Sequence, residues 1–347
     1  AKELELGPTH FALCEPPRRD RIEAYLKWIE NGYHGEMGYL AREDRLERRK
    51  DPRVVLEGAR SVIVSSLFYW PGKSGYDLNT ERGSRSRGRQ RGIVSSYAWG
   101  DDYHVIMGKK LHELARYACE LSGGNSRWYV DTGAVMERDL AEKSGLSFTG
   151  KNSLAIHPKY GSGFFLGSVF TTLPLPPDQA LKKASYCGSC DKCQVACPTG
   201  ALSPGNDYIM DARKCISYLT IELKGSIPEN LRPLVGGWIY GCDICQQVCP
   251  WNNFDWQGKS SPLWGPVPEE ISFPVLTELL KMSEEEFLNR FASTAVKRIG
   301  RERLLRNVAV ALGNLGDAEA IPALERCVRV EDSDLVKEHA SWATRQL

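Results

Sequence analysis

CGSCDKCQVACP (187–198) and, further along, YGCDICQQVCP (240–250) decide how this chain folds. The first stretch reads Cys187-x2-Cys190-x2-Cys193-x3-Cys197 followed by Pro198. The second reads Cys242-x2-Cys245-x3-Cys249 followed by Pro250, with a lone Cys215 upstream. In bacterial ferredoxins three closely spaced thiolates hold one cubane, and the fourth, ahead of proline, crosses to the other. A full second copy would place cysteine at 239, where the chain has Ile239. The missing ligand has to come from elsewhere, and Cys215 is the nearest free candidate. The spacing therefore assigns one 4Fe–4S cluster to Cys187, Cys190, Cys193 and Cys249, and the other to Cys242, Cys245, Cys197 and Cys215.

Zinc suits these cysteines poorly, because a tetrahedral site prefers two separated pairs to a three-cysteine run. Disulfides suit small secreted chains. The opening AKELELGPTHFALCEPP is charged and lacks the apolar stretch that export needs, so a cytoplasmic protein is expected. Cys14, Cys119 and Cys327 belong to no motif. Cys119 falls on the stripe of Leu111, Leu114, Ala115 and Ala118 and is expected in the core.

The chain has 347 residues, enough for two or three domains, and a net charge of only +1. No run approaches the roughly eighteen apolar residues of a membrane span. Charge is instead concentrated locally. Arg82, Arg85, Arg87, Arg89 and Arg91 crowd RGSRSRGRQR, and Lys297, Arg298, Arg301, Arg303 and Arg306 form a second basic run. Such patches on a near-neutral protein point to a polyanion docked at particular places, although either alone also fits a solvated loop or helix face.

Residues 1–175 alternate helices with β-branched strands and predict an α/β layered domain. Helices are expected over 18–30, 105–121 and 135–144, and strands over 61–70, 127–131 and 164–173. Residues 176–265 form the ferredoxin-like double-cluster domain. Residues 266–347 are expected to be helical and HEAT-like, since RNVAVALGNL (306–315) aligns with EHASWATRQL (338–347), Val308 over Ala340 and Val310 over Trp342. Stacked helix pairs commonly offer a binding face, and the basic run opens the first of them.

Two clusters alone would describe an electron relay. The long region ahead of them argues for more: Asp131 at a strand end, the polar-aromatic run Tyr97 to His104, and Gly150-Lys151-Asn152 fit a cofactor or substrate pocket fed by the clusters. No GxGxxG follows a strand and no GxxxxGK[ST] is present, so a nicotinamide or flavin Rossmann site is a poor reading. GSGFFLG (161–167) reads as a turn into a strand.

Together, RGIVSSYAWGDDYH (91–104), VDTGAVMERDLAEKSGLSFTGKN (130–152), CGSCDKCQVACPTGAL (187–202), RKCISYLTIE (213–222) and YGCDICQQVCPWN (240–252) resemble the epoxyqueuosine reductase family, over nearly the whole chain. The resemblance implies a cobalamin between the α/β and ferredoxin-like domains, with two 4Fe–4S clusters below it. It also implies a tRNA substrate whose wobble epoxycyclopentane becomes the cyclopentene of queuosine, and an external low-potential electron donor. A monomer away from membranes is expected.

The resemblance makes Asp131 the proton donor to the departing epoxide oxygen. An aspartate with an ordinary pKa of about 3.9 would need a dry pocket against the corrin to hold that proton. By itself Asp131 fits a cap on the 135–144 helix better. Arg49 matches a position near the corrin amides; Ser95, Ser217 and Asp243 lie in blocks expected to border the cofactor; Lys151 and Asn152 are expected in the pocket wall. His104 is expected to be structural, since the family implies no histidine ligand to cobalt. Lys297, Arg298, Arg301, Arg303 and Arg306 are the expected phosphate contacts on the anticodon stem-loop. The main competitor, a corrinoid reductive dehalogenase, would carry a twin-arginine leader, and Arg18-Arg19 lacks the apolar segment of one.

Overall fold

The structure, a computed structural model, describes residues 1–73, 90–183, 185–203, 208–255, 263 and 267–347. Its strands are β1 (Thr9–Leu13), β2 (Ser61–Phe68), β3 (Ile93–Val94), β4 (Ser126–Val130), β5 (Phe148–Thr149), β6 (Ala155–Ile156), β7 (Phe164–Thr171) and β8 (Trp238–Tyr240). Four of them make the main sheet, ordered β1-β2-β7-β4. Every pairing in it is antiparallel, so the layering expected from the sequence is realised without a parallel ladder.

β2 and β7 are central and covered on both faces, which explains why SVIVSSLF and FFLGSVFT are apolar nearly throughout. Side chains alternate between the faces. Ile63, Leu67, Phe165 and Val169 meet Met107, Leu111 and Ala118 of the Tyr103–Ser122 helix. Val62, Val64 and Phe170 meet Leu140 and Ala141 of the Glu137–Lys143 helix. At Gly167 a Cβ would lie 2.5 Å from a Leu111 methyl and 2.6 Å from the Met107 methyl, so a larger residue there would make the long helix's side chains repack against β7. Cys119 turns out only half-buried, at the edge of the stripe.

The segment after residue 90 leaves this sheet. β3 pairs in parallel with β8, a strand of the cluster region, and Asp101 bridges to Thr294 of the C-terminal region. One hydrophobic core accordingly runs from Leu6 through Tyr240 to Ala343. The cluster region is built from short helices, Lys192–Ala196, Ile216–Ile221, Arg232–Val235 and Ile244–Gln247. The C-terminal region is helical, with Glu284–Phe291 held by a Ser283/Glu286 capping box. There follow Gly300–Leu315, Ile321–Val330 with proline in its first turn, and Asp334–Gln346. Residues 304 to 313 of the first are all buried, because that helix lies between the cluster region and Asp334–Gln346. Among the described residues no helix is long and apolar enough to cross a membrane.

Candidate functional site

All eleven cysteines are free thiols. Among the described residues no three Cys, His, Asp or Glu side chains close on a single metal ion. The thiols of the two runs instead form two sets, recognised by which sulfurs act on which. Burial pushes Cys193 up to about 11, helped by Cys249 and Cys187, and Cys249 is raised by burial and then by Cys187 and Cys190. Burial likewise raises Cys242, followed by Cys245 and Cys215, while Cys215 also feels Cys197. Cys245 feels Cys215 and Cys197, and across the divide Cys193. Cys187, Cys190, Cys193 and Cys249 thus act on one another, as do Cys197, Cys215, Cys242 and Cys245, and the two groups lie close enough for Cys193 to act on Cys245. Thiols held protonated in this way must shed protons to bind iron, which couples cluster assembly to pH.

Phe148, Tyr186 and Trp251 wall the first set. The second adjoins the large core. Backbone N–H groups of Ser217 and Tyr218 reach the Cys215 sulfur, so Ser217 serves that thiol from the start of its helix. Ser95 and Asp243, far apart in sequence, meet near Cys242 and Cys245, whose thiols feel the Asp243 charge. The Ser95 hydroxyl donates to Asp243 Oδ1 at 2.5 Å and the Ser96 amide to Oδ2 at 2.7 Å. Both are shut away from solvent, Ser95 at 1% and Asp243 at 0% exposure. This buried bond joins the N-terminal region to the loop between Cys242 and Cys245.

Asp131 ends β4 in the left-handed region, at φ 58°, which aspartate tolerates better than most residues. It does not cap the following helix, whose N-cap is Met136 with no side-chain bond. Its amide donates to Glu137 Oε1 at 3.2 Å, and the Tyr103 hydroxyl donates to its Oδ2 at 2.8 Å. Tyr103 is stacked flat on Phe165, centroids 3.9 Å apart. His104 Nε2 lies 3.7 Å from Oδ2, an ion-pair separation rather than a formed hydrogen bond. Tyr103 and His104 stand on the first turn of their helix, which the Asp102 side chain caps by accepting from the His104 amide at 3.0 Å.

The Asp131 side chain is 62% exposed although Tyr103, His104, Glu137 and Arg298 all act on it. Its carboxylate is therefore open to solvent on the side away from Tyr103. Tyr39 and Glu222 feel its charge too, and Arg45 reaches the same edge, donating to Thr132 O at 3.4 Å. The neighbours also set its proton affinity. His104 first, then Tyr103, hold the carboxyl below the usual aspartate range and outweigh burial. The raised value expected from the sequence applies to a pocket dried by the corrin; among the protein's own groups, donors surround the carboxylate. Glu137 goes the other way, pushed up to about 8 by burial and then by the Asp131 charge.

Arg49 is 6% exposed, with its guanidinium 5.2 Å from the Tyr25 ring centroid and its charge felt by Glu137. Asn152 is buried at the tip of the β5–β6 hairpin, where its Oδ1 accepts from the Leu154 amide at 3.2 Å; Lys151 is half-buried beside it.

The basic run does not form one surface. Arg306 is corrected outright: it is 0% exposed and donates to the carbonyls of Leu219, Leu223 and Gly225, so no phosphate can reach it. Arg301 is paired with Glu331 at 2.6 Å and Arg303 donates to the carbonyls of Ile221, Arg298 and Ile299. Lys297 is exposed, and Arg298 keeps 43% of its side chain exposed while reaching His104. Of the first basic patch, Arg82, Arg85, Arg87 and Arg89 lie outside the described residues. Arg91 donates to Phe273 O at 2.6 Å and pairs with Glu269. The sequence also left His104 as structural and gave Glu137 no role; only the tertiary contacts bring them to Asp131.

A four-stranded antiparallel sheet joined through β3 and β8 to a region carrying two groups of thiols defines a double-cluster iron–sulfur protein. Residues 186–252 match the family described as a 4Fe-4S double cluster binding domain, and residues 49–132 match Epoxyqueuosine reductase QueG, DUF1730. The epoxyqueuosine reductase of Escherichia coli (strain K12) is 41% identical over 99% of this chain and 87% of its own length. That of Pseudomonas aeruginosa is 42% identical over 93% and 87%. A crystal structure of selenomethionine-labeled epoxyqueuosine reductase superposes with a TM-score of 0.86 at 30% identity, covering 99% of this chain and 88% of that one. An epoxyqueuosine reductase with a tRNA-Tyr epoxyqueuosine-modified stem loop gives 0.85 at 30% identity, over 99% and 87%. The chain belongs to the epoxyqueuosine reductase family.

Proposed function

We propose that this chain reduces the epoxide of epoxyqueuosine at the tRNA wobble position, using a cobalamin above two 4Fe–4S clusters and Asp131 as the proton donor. The observation that carries the reading is the 62% exposed Asp131 carboxylate, held by the Tyr103 hydroxyl, in a chain that carries a double-cluster domain and belongs to the epoxyqueuosine reductase family. The reaction consumes two electrons and two protons, turns the epoxide into an alkene and expels its oxygen as water. When bound, the clusters would supply single low-potential electrons and the corrin a cobalt reducing centre.

The residues present fit a corrin, whose rim of amides needs mixed donors and acceptors. Tyr39, 45% exposed, Arg45, Glu222 and Asp131 offer these around the Asp131 carboxylate. Ser217 and the Ser95–Asp243 pair would support the cofactor from the cluster side, and Arg49 would act from behind Glu137. Asp131 would deliver a proton to the oxygen leaving carbon, with Tyr103 fixing the carboxyl's direction. Lys297 and Arg298 would take backbone phosphates of the stem-loop, with the HEAT-like stack of the last helices as their platform. Residues 1–175, 176–265 and 266–347 would thus serve as cofactor and substrate, cluster and RNA modules.

The test is incubation with epoxyqueuosine tRNA under a strong reductant, followed by nucleoside mass analysis. Queuosine is expected with cobalamin supplied and not without it. Unchanged epoxyqueuosine in fully loaded enzyme would refute the proposal.

A further inference from the structure

The two thiol groups differ in what covers them. Between Cys242 and Cys245 stand Asp243, 0% exposed and bonded to Ser95, and the half-buried Ile244. Between Cys187 and Cys190 stand Gly188 and Ser189, both exposed. A Cβ on Gly188 would meet nothing within 4 Å, and neither would one on Gly200, just past Pro198. Burial pushes Cys242 and Cys245 well above the ordinary thiol value, but Cys193 only to about 11. The first group is therefore the one that an outside molecule can approach.

The surface over that group is built for more than contact with water. Val195, in the helix Lys192–Ala196, is 71% exposed, more than any other large hydrophobic side chain among the described residues. It stands one turn from Lys192 on the same side of the helix, whereas Gln194 turns inward and is 3% exposed. Residues 182–198 carry Lys182, Lys183 and Lys192 against a single acid, Asp191, and all four are exposed. Among the described residues none of the three lysines is held in an ion pair. The Lys183 ammonium lies 6.0 Å from the centroid of Tyr186, one of the rings walling the first group.

We propose that the Cys187–Pro198 stretch is the electron-entry face and docks a small acidic electron-carrier protein, with Lys183 and Lys192 steering it and Val195 at the contact. The inference rests on the double-cluster reading and on nothing about corrin or RNA. Electrons pass singly: the carrier's reduced centre loses one and the cubane held by Cys187, Cys190, Cys193 and Cys249 gains it. No bond forms or breaks. Electron transfer falls steeply with distance, so the carrier must set its own centre close to this cubane. Gly188 and Ser189 offer little bulk to hold it off, Val195 gives the contact an apolar centre, and the lysines orient an acidic partner before contact. Two-iron ferredoxins of the plant type work at about −400 mV, within the range of such cubanes.

The experiment follows reduction of the full-length, iron-loaded protein by two probes: a reduced acidic two-iron ferredoxin and reduced methyl viologen, a small cation. Rapid-freeze EPR reads the cubane signal apart from that of the ferredoxin. Wild type should be reduced by ferredoxin at a rate that falls steeply with salt. Lys183→Glu combined with Lys192→Glu should slow that rate roughly tenfold or more at low salt and abolish its salt dependence. Val195→Asp should slow it at high salt as well, and viologen rates should stay at the wild-type value throughout. Lys182→Glu takes the place of any variant that loses iron. Ferredoxin rates unmoved by these changes, or viologen rates that fall with them, would overturn the proposal, as would wild type that accepts electrons from viologen but none from ferredoxin. Failure of both probes would sink the cluster reading itself. If the lysine variant instead loses affinity for an anticodon stem-loop RNA at unchanged ferredoxin rates, these lysines serve RNA and the entry face lies elsewhere.

Discussion

The double-cysteine region and the basic run after residue 296 were both read from residue type at regular spacing, and they came out differently. The thiols of the two runs are gathered together, acting on one another in two adjacent groups. The five cations scatter: one is entombed, two are spent on carbonyls and a glutamate, and two stay accessible. A cubane fixes where its ligands must be, because short loops of two or three residues wrap a rigid object. A phosphate backbone sets no such condition, so charge along a helix says nothing about which side faces water.

The largest expected effect sharpens the cysteine half. Cys245→Ala and Cys197→Ala should each halve the iron of anaerobically prepared protein, from about eight atoms to about four, and Cys215→Ala should match them. Cys327→Ala should leave iron unchanged. A full complement of iron in Cys215→Ala would break the ligand assignment.

Next comes Asp131→Asn, expected to retain cobalamin and lower turnover by roughly 10²–10⁴-fold, the range of general acid catalysis. Nucleoside mass analysis under single-turnover conditions reads it, and near-normal rates would remove the donor role.

Arg306→Met separates the cations. It leaves the Leu219, Leu223 and Gly225 carbonyls without their donor and should cost about 3–5 kcal/mol, as broken buried polar networks do. The urea midpoint should fall while the soluble fraction binds RNA as before. Lys297→Ala should do the reverse, weakening RNA and flattening its salt dependence at unchanged midpoint.

The smallest effect lies at Glu137, raised from 4.5 to about 8 in the fold. A carboxyl with a raised folded pKa binds more protons folded than unfolded, so stability drains as pH climbs from about 4.5 to about 8. Glu137→Gln keeps an acceptor for the Asp131 amide and removes the titration. Its midpoint should therefore rise relative to wild type as pH increases across that window, and a constant difference would refute the shift.

Much of the scaffold was legible. β2 and β7 announce themselves as β-branched runs, and the Tyr103–Ser122 helix as an apolar stripe, because each pattern reports burial within one element. Asp131 could be picked out as a strand-end carboxylate, and its family block supplied the role. Nothing local disclosed that Tyr103 and His104 reach it from another element. Ser95 and Asp243 were marked for the cofactor border, but nothing local disclosed that they bond to each other across 148 residues.

Cysteine spacing, strand patterning and helix stripes were settled by the sequence itself, since each is a contest among neighbours in the chain. The meeting of Arg298 with His104, the burial of Arg306 and the lowered pKa of Asp131 were decided only by tertiary packing. A side chain's charge state and partners depend on what is carried to it from far along the chain, and on whether water is left beside it.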